Sequence, residues 1–145
     1  MTYNCPAEIN EARNGIFIDR LELNPDDGGE GQYRGGKGIR MDYRIRAEQG
    51  FVTCFFSRSK FPAWGLAGGN DGSSNYIEVH RASGNIERHA NVTQLKLYHD
   101  DVVRIVTANG GGYGDPGQRG REGLERDLEE GYVTQDGARR DYGTD

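Results

Sequence analysis

Ile39-Arg40-Met41-Asp42-Tyr43-Arg44-Ile45-Arg46-Ala47 decides the fold. Ile39, Met41, Tyr43, Ile45 and Ala47 alternate with Arg40, Asp42, Arg44 and Arg46. Successive side chains of a strand point to opposite faces, so a period of two gives one apolar and one charged face. That pattern predicts a half-buried strand of an antiparallel sheet.

Working outward, Gly50 marks a turn, and Phe51-Val52-Thr53-Cys54-Phe55-Phe56 is apolar at almost every position. A short run without alternation suits a strand covered on both faces, so a central strand is expected there. Ile16 to Leu23 is rich in β formers and reads as a first strand. Tyr76 to Arg81, Asn91 to Leu97 and Val102 to Thr107 read as three more, with His99-Asp100-Asp101 turning the last pair. Short strands separated by turn residues predict an antiparallel sandwich or a barrel-like sheet. Leu124 and Leu128 fall at helical spacing, and Gly131 stops that run. Thr134 is placed to cap a second short helix over Asp136 to Asp141. The fold class is therefore mainly β with two short C-terminal helices. The 145 residues suit one domain. Its expected parts are an extended arm (1–14), a β domain (15–108), a glycine-rich loop (109–117) and a helical tail (118–145).

Two stretches interrupt the strand pattern. Ser57 to Ser74 is a long connection holding the single tryptophan, Trp64. Loops of that length are usually functional or interfacial. Trp64 is expected to pin the loop to the core, because its buried area would dominate the local energetics. The second stretch is Asn109-Gly110-Gly111-Gly112-Tyr113-Gly114-Asp115-Pro116. A flexible linker carries Gly and Ser without an embedded aromatic. Tyr113 and the restricted Asp115-Pro116 pair instead predict an ordered loop held by packing or by a partner. Substitution at Gly111 or Gly112 is expected to matter more than at Gly72, in the looser connection.

Gly112-Tyr113-Gly114-Asp115-Pro116-Gly117 fits G-x-G-x-x-G. A dinucleotide site would need a second strand with an acidic residue about 20 positions on, and helical pattern follows instead. Pro116 also lacks an N–H where phosphate needs donors. Gly35-Gly36-Lys37-Gly38 leads into Ile39, so the hydroxyl of a phosphate-binding loop is missing. No nucleotide site is expected in this chain.

Charge and cysteine usage narrow the class further. The net charge of −5 argues against nucleic acid or an anionic membrane as partner. Cys5 and Cys54 are too few for a disulfide framework or a thiolate zinc site. No run approaches membrane-span length, and no signal-peptide pattern opens the sequence. A cytoplasmic protein is expected. His80, His89 and His99 lie on separate elements without metal-ligand spacing and read as surface histidines. Asp71 and Asp115, in glycine loops, are expected to satisfy their own backbone. Arg34, Lys37, Arg40, Arg44, Arg46, Arg58 and Lys60 form a basic span. It reads as a solvated face or as a patch for phosphate, carboxylate or an acidic partner.

Four motifs occur in a fixed order: Tyr33-Arg34-Gly35-Gly36-Lys37-Gly38-Ile39-Arg40, Trp64-Gly65-Leu66-Ala67-Gly68-Gly69, Gly110-Gly111-Gly112-Tyr113-Gly114-Asp115-Pro116 and Tyr142-Gly143. Together they resemble the C-terminal part of the hydantoinase B/oxoprolinase family, and Asn4, Pro6 and Glu8 resemble the start of that part. His99-Asp100-Asp101 stands where the family usually has a Pro-Gly-Asp turn. Ala108-Asn109 replaces Pro-Gly, with Asn109 able to take the left-handed conformation.

The resemblance implies a non-catalytic small subunit of an ATP-dependent carboxylase or amidohydrolase complex. Starting at its own Met1, the chain is similar in arrangement to the small subunit of the acetophenone-carboxylating members. Implied partners are hydantoinase A-type subunits that use ATP, and a larger hydantoinase B-type subunit. ATP and a divalent metal are expected on those partners and no cofactor in this chain. Arg34, Lys37, Trp64, Gly111, Gly112, Tyr113 and Asp115 are the candidates for lining an interface or a site. No residue is assigned a catalytic, cofactor-binding or metal-binding role. An independent small-ligand-binding β protein, taking a carboxylate or sugar through the Trp64 and Tyr113 loops, is the alternative.

Overall fold

A computed structural model describes residues 5–143. Seven strands and three helices follow one another along the chain. They are α1 (Ala7–Asn14), β1 (Ile16–Leu23), β2 (Ile39–Ile45), β3 (Gln49–Cys54), β4 (Tyr76–His80), β5 (Ile86–His89), β6 (Val92–Tyr98), β7 (Val102–Val106), α2 (Arg121–Glu129) and α3 (Gln135–Tyr142). One 3-10 turn, Pro116–Gln118, precedes α2. The fold is mainly β, as the alternation predicts, and its sheets do not close into a barrel.

The expected single domain separates into two compact units whose segments interleave in sequence. The first holds the described residues up to Glu22 with Ile39–Ser57 and Tyr76–Val106. The second holds Leu23–Gly38, Arg58–Asn75 and the chain from Thr107 onward. Strand-forming stretches collect in the first, and glycine-rich stretches with α2 and α3 collect in the second. The glycine loop and helical tail of the sequence reading therefore belong together with two earlier segments.

In the first unit, a five-stranded sheet runs β1-β2-β7-β4-β5, and β3 pairs with β6 in a two-stranded sheet. β7 is flanked by antiparallel partners on both sides, with Met41 opposite Ile105 and Ile105 opposite Ile77. One face of this sheet contributes Ile77, Val79 and Val103 to the core, where they join Ile45 and Leu97. Val52, Cys54 and Phe56 pack on the same cluster. Burial pushes the Cys54 thiol above its ordinary pKa, which makes it inert packing.

The other face carries a row of alternating charge. Asp42 lies opposite Arg104, and Arg104 opposite Glu78. Glu78 in turn lies opposite Arg88. Arg104 donates to Asp42 at 2.9 and 3.0 Å. Arg20 extends the row onto β1, 3.8 Å from Asp42. Opposite charges directly across a ladder stabilise a sheet, and this row links all five strands.

Several expectations are corrected. Residues 7–14 form a helix and not an extended arm. No residue of α1 is buried, so no apolar stripe announced it; its ends are set by Pro6 before it and by Gly15, which is left-handed at φ 60°. Residues 1–4 of that arm, including Asn4, lie outside the described residues, as do the last two of the tail. Phe51 to Phe56 is not a central strand. β3 pairs with β6 alone, so Phe51 and Phe55 stand exposed while alternate residues face the core. His99-Asp100-Asp101 does not turn a hairpin, because β6 and β7 belong to different sheets. Asp100 takes the left-handed conformation there, at φ 66°, and Asn109 does not take it. β5 was not anticipated from the sequence; it pairs with β4 behind a turn in which Gly84 has φ 94°.

The C-terminal helices follow their capping signals. The Thr134 hydroxyl accepts from the Gly137 N–H at 3.0 Å at the start of α3. Gly131 and Gly143, at φ 74° and 67°, lie just beyond α2 and α3.

Candidate functional site

All seven candidate residues fall in the second unit. There, three glycine-bearing stretches run side by side and are joined through their backbones. Tyr33 and Tyr113 exchange N–H···O bonds of 2.9 Å. Leu66 donates to Gly112, and Gly114 donates back to Leu66, both at 2.9 Å. Asn70 donates to Glu30 at 2.7 Å, and Gly112 to Asn70 at 2.9 Å. Further bonds run from Gly29 to Asp71, from Gly72 to Ala63 and from Gly110 to Gly36.

Such closeness excludes side chains. A Cβ on Gly112 would strike the Glu30 carbonyl, and one on Gly111 the Trp64 carbonyl. The loop at Asn109 to Pro116 is therefore ordered by packing against its own chain. Gly72 is no loose comparison site, because its Cβ would strike the Asn109 carbonyl. Gly36 faces open space and is the better contrast.

Two asparagines brace this platform from inside, and sequence reading passed over both. The Asn109 side chain accepts from the Gly38 N–H at 2.9 Å and donates to the Asp26 carbonyl at 2.7 Å. Its own N–H donates to Ser73 Oγ at 2.8 Å. Asn24 donates to Thr107 at 2.9 Å and to Ser73 Oγ at 3.2 Å. Both residues are about 1% exposed, so each satisfied bond replaces one to water that burial removed. Asn24, like Asn109, follows a β-rich run and precedes a Pro- or Gly-rich turn, the one sequence signal they share.

The charged candidates serve the same scaffold. Arg34 lies 3.0 Å from Asp127 of α2 and stacks 4.1 Å from the Tyr132 ring centroid. Arg119 bonds the same carboxylate and also donates to the Gln32 carbonyl at 3.2 Å. Lys37 donates to the Asp26 carbonyl at 3.0 Å. Its burial lowers the pKa of the ammonium, while Glu30 and Asp27 pull in the other direction. Asp115 Oδ1 accepts from Gly117 N–H at 2.9 Å, and Asp71 Oδ1 from Gly65 N–H at 2.8 Å. Both aspartates satisfy backbone, as expected.

Elsewhere in the basic span, Arg40, Arg44 and Arg46 pair with Asp42, Asp19 and Asp100. These three arginines form a neutralised strand face and not a bare cationic patch. His80, His89 and His99 lie beside Glu78, Glu87 and Asp100 respectively. Among the described residues no group of three His, Cys, Asp or Glu side chains is placed to hold a metal ion. No described helix is long and apolar enough to cross a membrane.

The G-x-G-x-x-G match is now explained. The Gly112, Tyr113 and Gly114 N–H groups donate to Asn70, Tyr33 and Leu66, and Gly117 N–H donates to Asp115. A phosphate would find those donors engaged.

What the platform displays is aromatic. Trp64 is 68% exposed, Phe61 73%, Tyr33 65%, Leu66 55% and Tyr113 53%. Trp64 is thus not a core pin. The loop is fixed by its backbone bonds, and the indole is left outward. Tyr33, Tyr113 and Leu66 sit on three neighbouring backbones, with Tyr113 bridged to both of the others. The tyrosine ring centroids are 6.3 Å apart. Of the seven candidates, Trp64 and Tyr113 are displayed, Gly111 and Gly112 make the display possible, and Arg34 and Lys37 hold the platform. Asp115 starts the 3-10 turn that leads to α2.

Comparisons with known proteins place these features in context. The hydantoinase B/oxoprolinase family model matches residues 1–116. Caprolactamase subunit beta of Pseudomonas jessenii is 31% identical over 144 residues, covering 94% of this chain and 24% of its own length. The crystal structure of ATP-dependent caprolactamase from P. jessenii matches with TM-score 0.81 at 30% identity, over 95% of this chain and 24% of that one. A nucleotide-free acetone carboxylase structure shares the fold with TM-score 0.76 at 23% identity, over 96% of this chain and 23% of that one. The chain thus spans about a quarter of the length of the curated relatives it matches.

Proposed function

The chain belongs to the hydantoinase B/oxoprolinase family, and from that premise we propose that it is a small subunit of an ATP-dependent, multi-subunit amidohydrolase or carboxylase. Its role is structural or site-completing. One observation carries this reading: 94% of the chain aligns with only 24% of a caprolactamase beta subunit. The remaining three quarters of the family's length, and the chemistry that goes with it, belong to other parts of the assembly. ATP and a divalent metal are held there, by a hydantoinase A-type subunit and a larger hydantoinase B-type subunit.

Of the substrate classes, a cyclic amide is favoured over an aryl ketone. The relatives named caprolactamase and hydantoinase support the former. The acetophenone expectation has its nearest support in the acetone carboxylase match, and likeness at 23% identity speaks for fold alone.

The test is reconstitution. The complex is purified with and without this chain, and ATP hydrolysis is followed with caprolactam, with hydantoin, and with acetophenone plus bicarbonate. We expect turnover with a cyclic amide only when this chain is present, and none from the chain alone. Full turnover by the large subunits without it would overturn the role. Stimulation by acetophenone and bicarbonate alone would move the substrate to the ketone class.

A further inference from the structure

We propose that the aromatic face of the second unit, built from Phe61, Trp64, Leu66, Tyr33 and Tyr113, is the seat of the larger hydantoinase B-type chain. This rests on the proposed function above and goes beyond it by naming the surface. Five large apolar side chains, each more than half exposed, gather on three short stretches. Scattered single apolar residues are ordinary on a surface, whereas a cluster of this kind marks an interaction site.

The backbone beneath is fixed before any partner arrives. Tyr113 is bridged to Tyr33 on one side and Leu66 on the other. The loop bearing Phe61, Trp64 and Leu66 is bounded by two non-glycine residues in the left-handed region, Arg58 at φ 56° and Ala67 at φ 51°. Residues held in that region carry a conformational cost and concentrate where a segment has a task. A rigid display of aromatics loses little side-chain freedom on binding, which is what an anchor requires.

The occupant follows from length and charge. Relatives hold three further quarters of polypeptide beyond the part this chain represents, so a family-sized surface is missing opposite it. Arg58 stacks 5.8 Å from the Trp64 ring centroid, and Lys60 lies 5.4 Å from that of Phe61. Among the described residues neither cation has a carboxylate within ion-pair distance. A partner with an apolar hollow and carboxylates at its rim fits both features.

The experiment uses the tagged full chain co-expressed with the larger hydantoinase B-type chain of its source. The affinity of the purified pair is measured at low and high salt. Phe61→Ala with Trp64→Ala should weaken association by about thirtyfold or more, the range of hot-spot residues. Arg58→Glu with Lys60→Glu should weaken it several-fold and flatten its salt dependence. Phe51→Ala, at an exposed aromatic of β3, should leave it unchanged. All the altered side chains are exposed, and unchanged melting temperatures verify folding. If the Phe61/Trp64 variant binds like the parent, this surface is wrong while the subunit role stands. If the parent binds no large chain at all, the subunit role itself fails. Self-association of this chain that disappears in the same variant would assign the face to a second copy and overturn the inference.

Discussion

At the scale of single residues, the buried acids of the first unit matter most. Asp101 accepts from the N–H groups of Ala82 and Tyr98 at 3.0 Å and from Arg81 at 2.9 Å. Burial alone would raise its pKa, but these donors outweigh it and hold the carboxyl below its usual value. Asp42 behaves alike: burial pushes up, and hydrogen bonds from Arg104 and Arg40 bring the net value below normal. A depressed folded-state pKa means that the unfolded chain takes up protons first as pH falls. The stabilisation is therefore present above about pH 4 and is lost as pH drops through the folded-state values. Asp101→Asn should cost about 3 kcal/mol at pH 7, because Arg81 and two N–H groups lose an anionic acceptor. The loss should shrink at pH 3. Urea unfolding at both pH values checks this, and an equal loss at both would refute it. Neither acid was legible in the sequence. Asp42 sits on the polar face of a clear alternation, where solvent is the default neighbour. Only the register of β7 reveals Arg104 opposite it.

At the scale of elements, the glycine platform is held by backbone alone, so its tolerance should vary sharply along one stretch of chain. Gly112→Ala should destabilise by about 3 kcal/mol, since the Glu30 carbonyl must move and its bond from Asn70 goes with it. Gly36→Ala, with open space around it, should stay within about 0.5 kcal/mol. Thermal melts of the two variants decide the matter, and similar melting points would mean the platform yields. The sequence made this element half visible. Tyr113 among glycines announced an ordered loop, and the ordered motifs announced which segments belong together. Which glycines are crowded could not be read, because the crowding atoms are carbonyls from 40 or 80 residues away. Gly72 and Gly112 look unlike in sequence and are equally hemmed in. Trp64 misled for the same reason. A large aromatic in a loop usually holds the loop down, and here hydrogen bonds from glycine N–H groups already do so, freeing the indole. Strand reading was surest where one face was covered, as in β2. It failed at β3, where composition suggested cover on both sides and only β6 supplied a neighbour.

For the whole molecule, the interleaved segments have a consequence for how order is distributed. Unit one owes its stability to a core of branched side chains, and unit two to bonded backbones with little side-chain filling. Most of the glycine stretches are neither strand nor helix. Circular dichroism should therefore count them as coil. Amide hydrogen exchange should not. The N–H groups of Gly29, Gly72, Gly110, Gly112, Tyr113 and Gly114 all have carbonyl acceptors. An amide engaged in this way exchanges only when its surroundings open. We expect these glycines to exchange as slowly as the strands of the first unit, and far more slowly than Gly36 or Gly120. Rapid exchange throughout would reduce the platform to a transient arrangement. Slow exchange would make it a second core, composed of main chain, in a protein whose spectrum hides it.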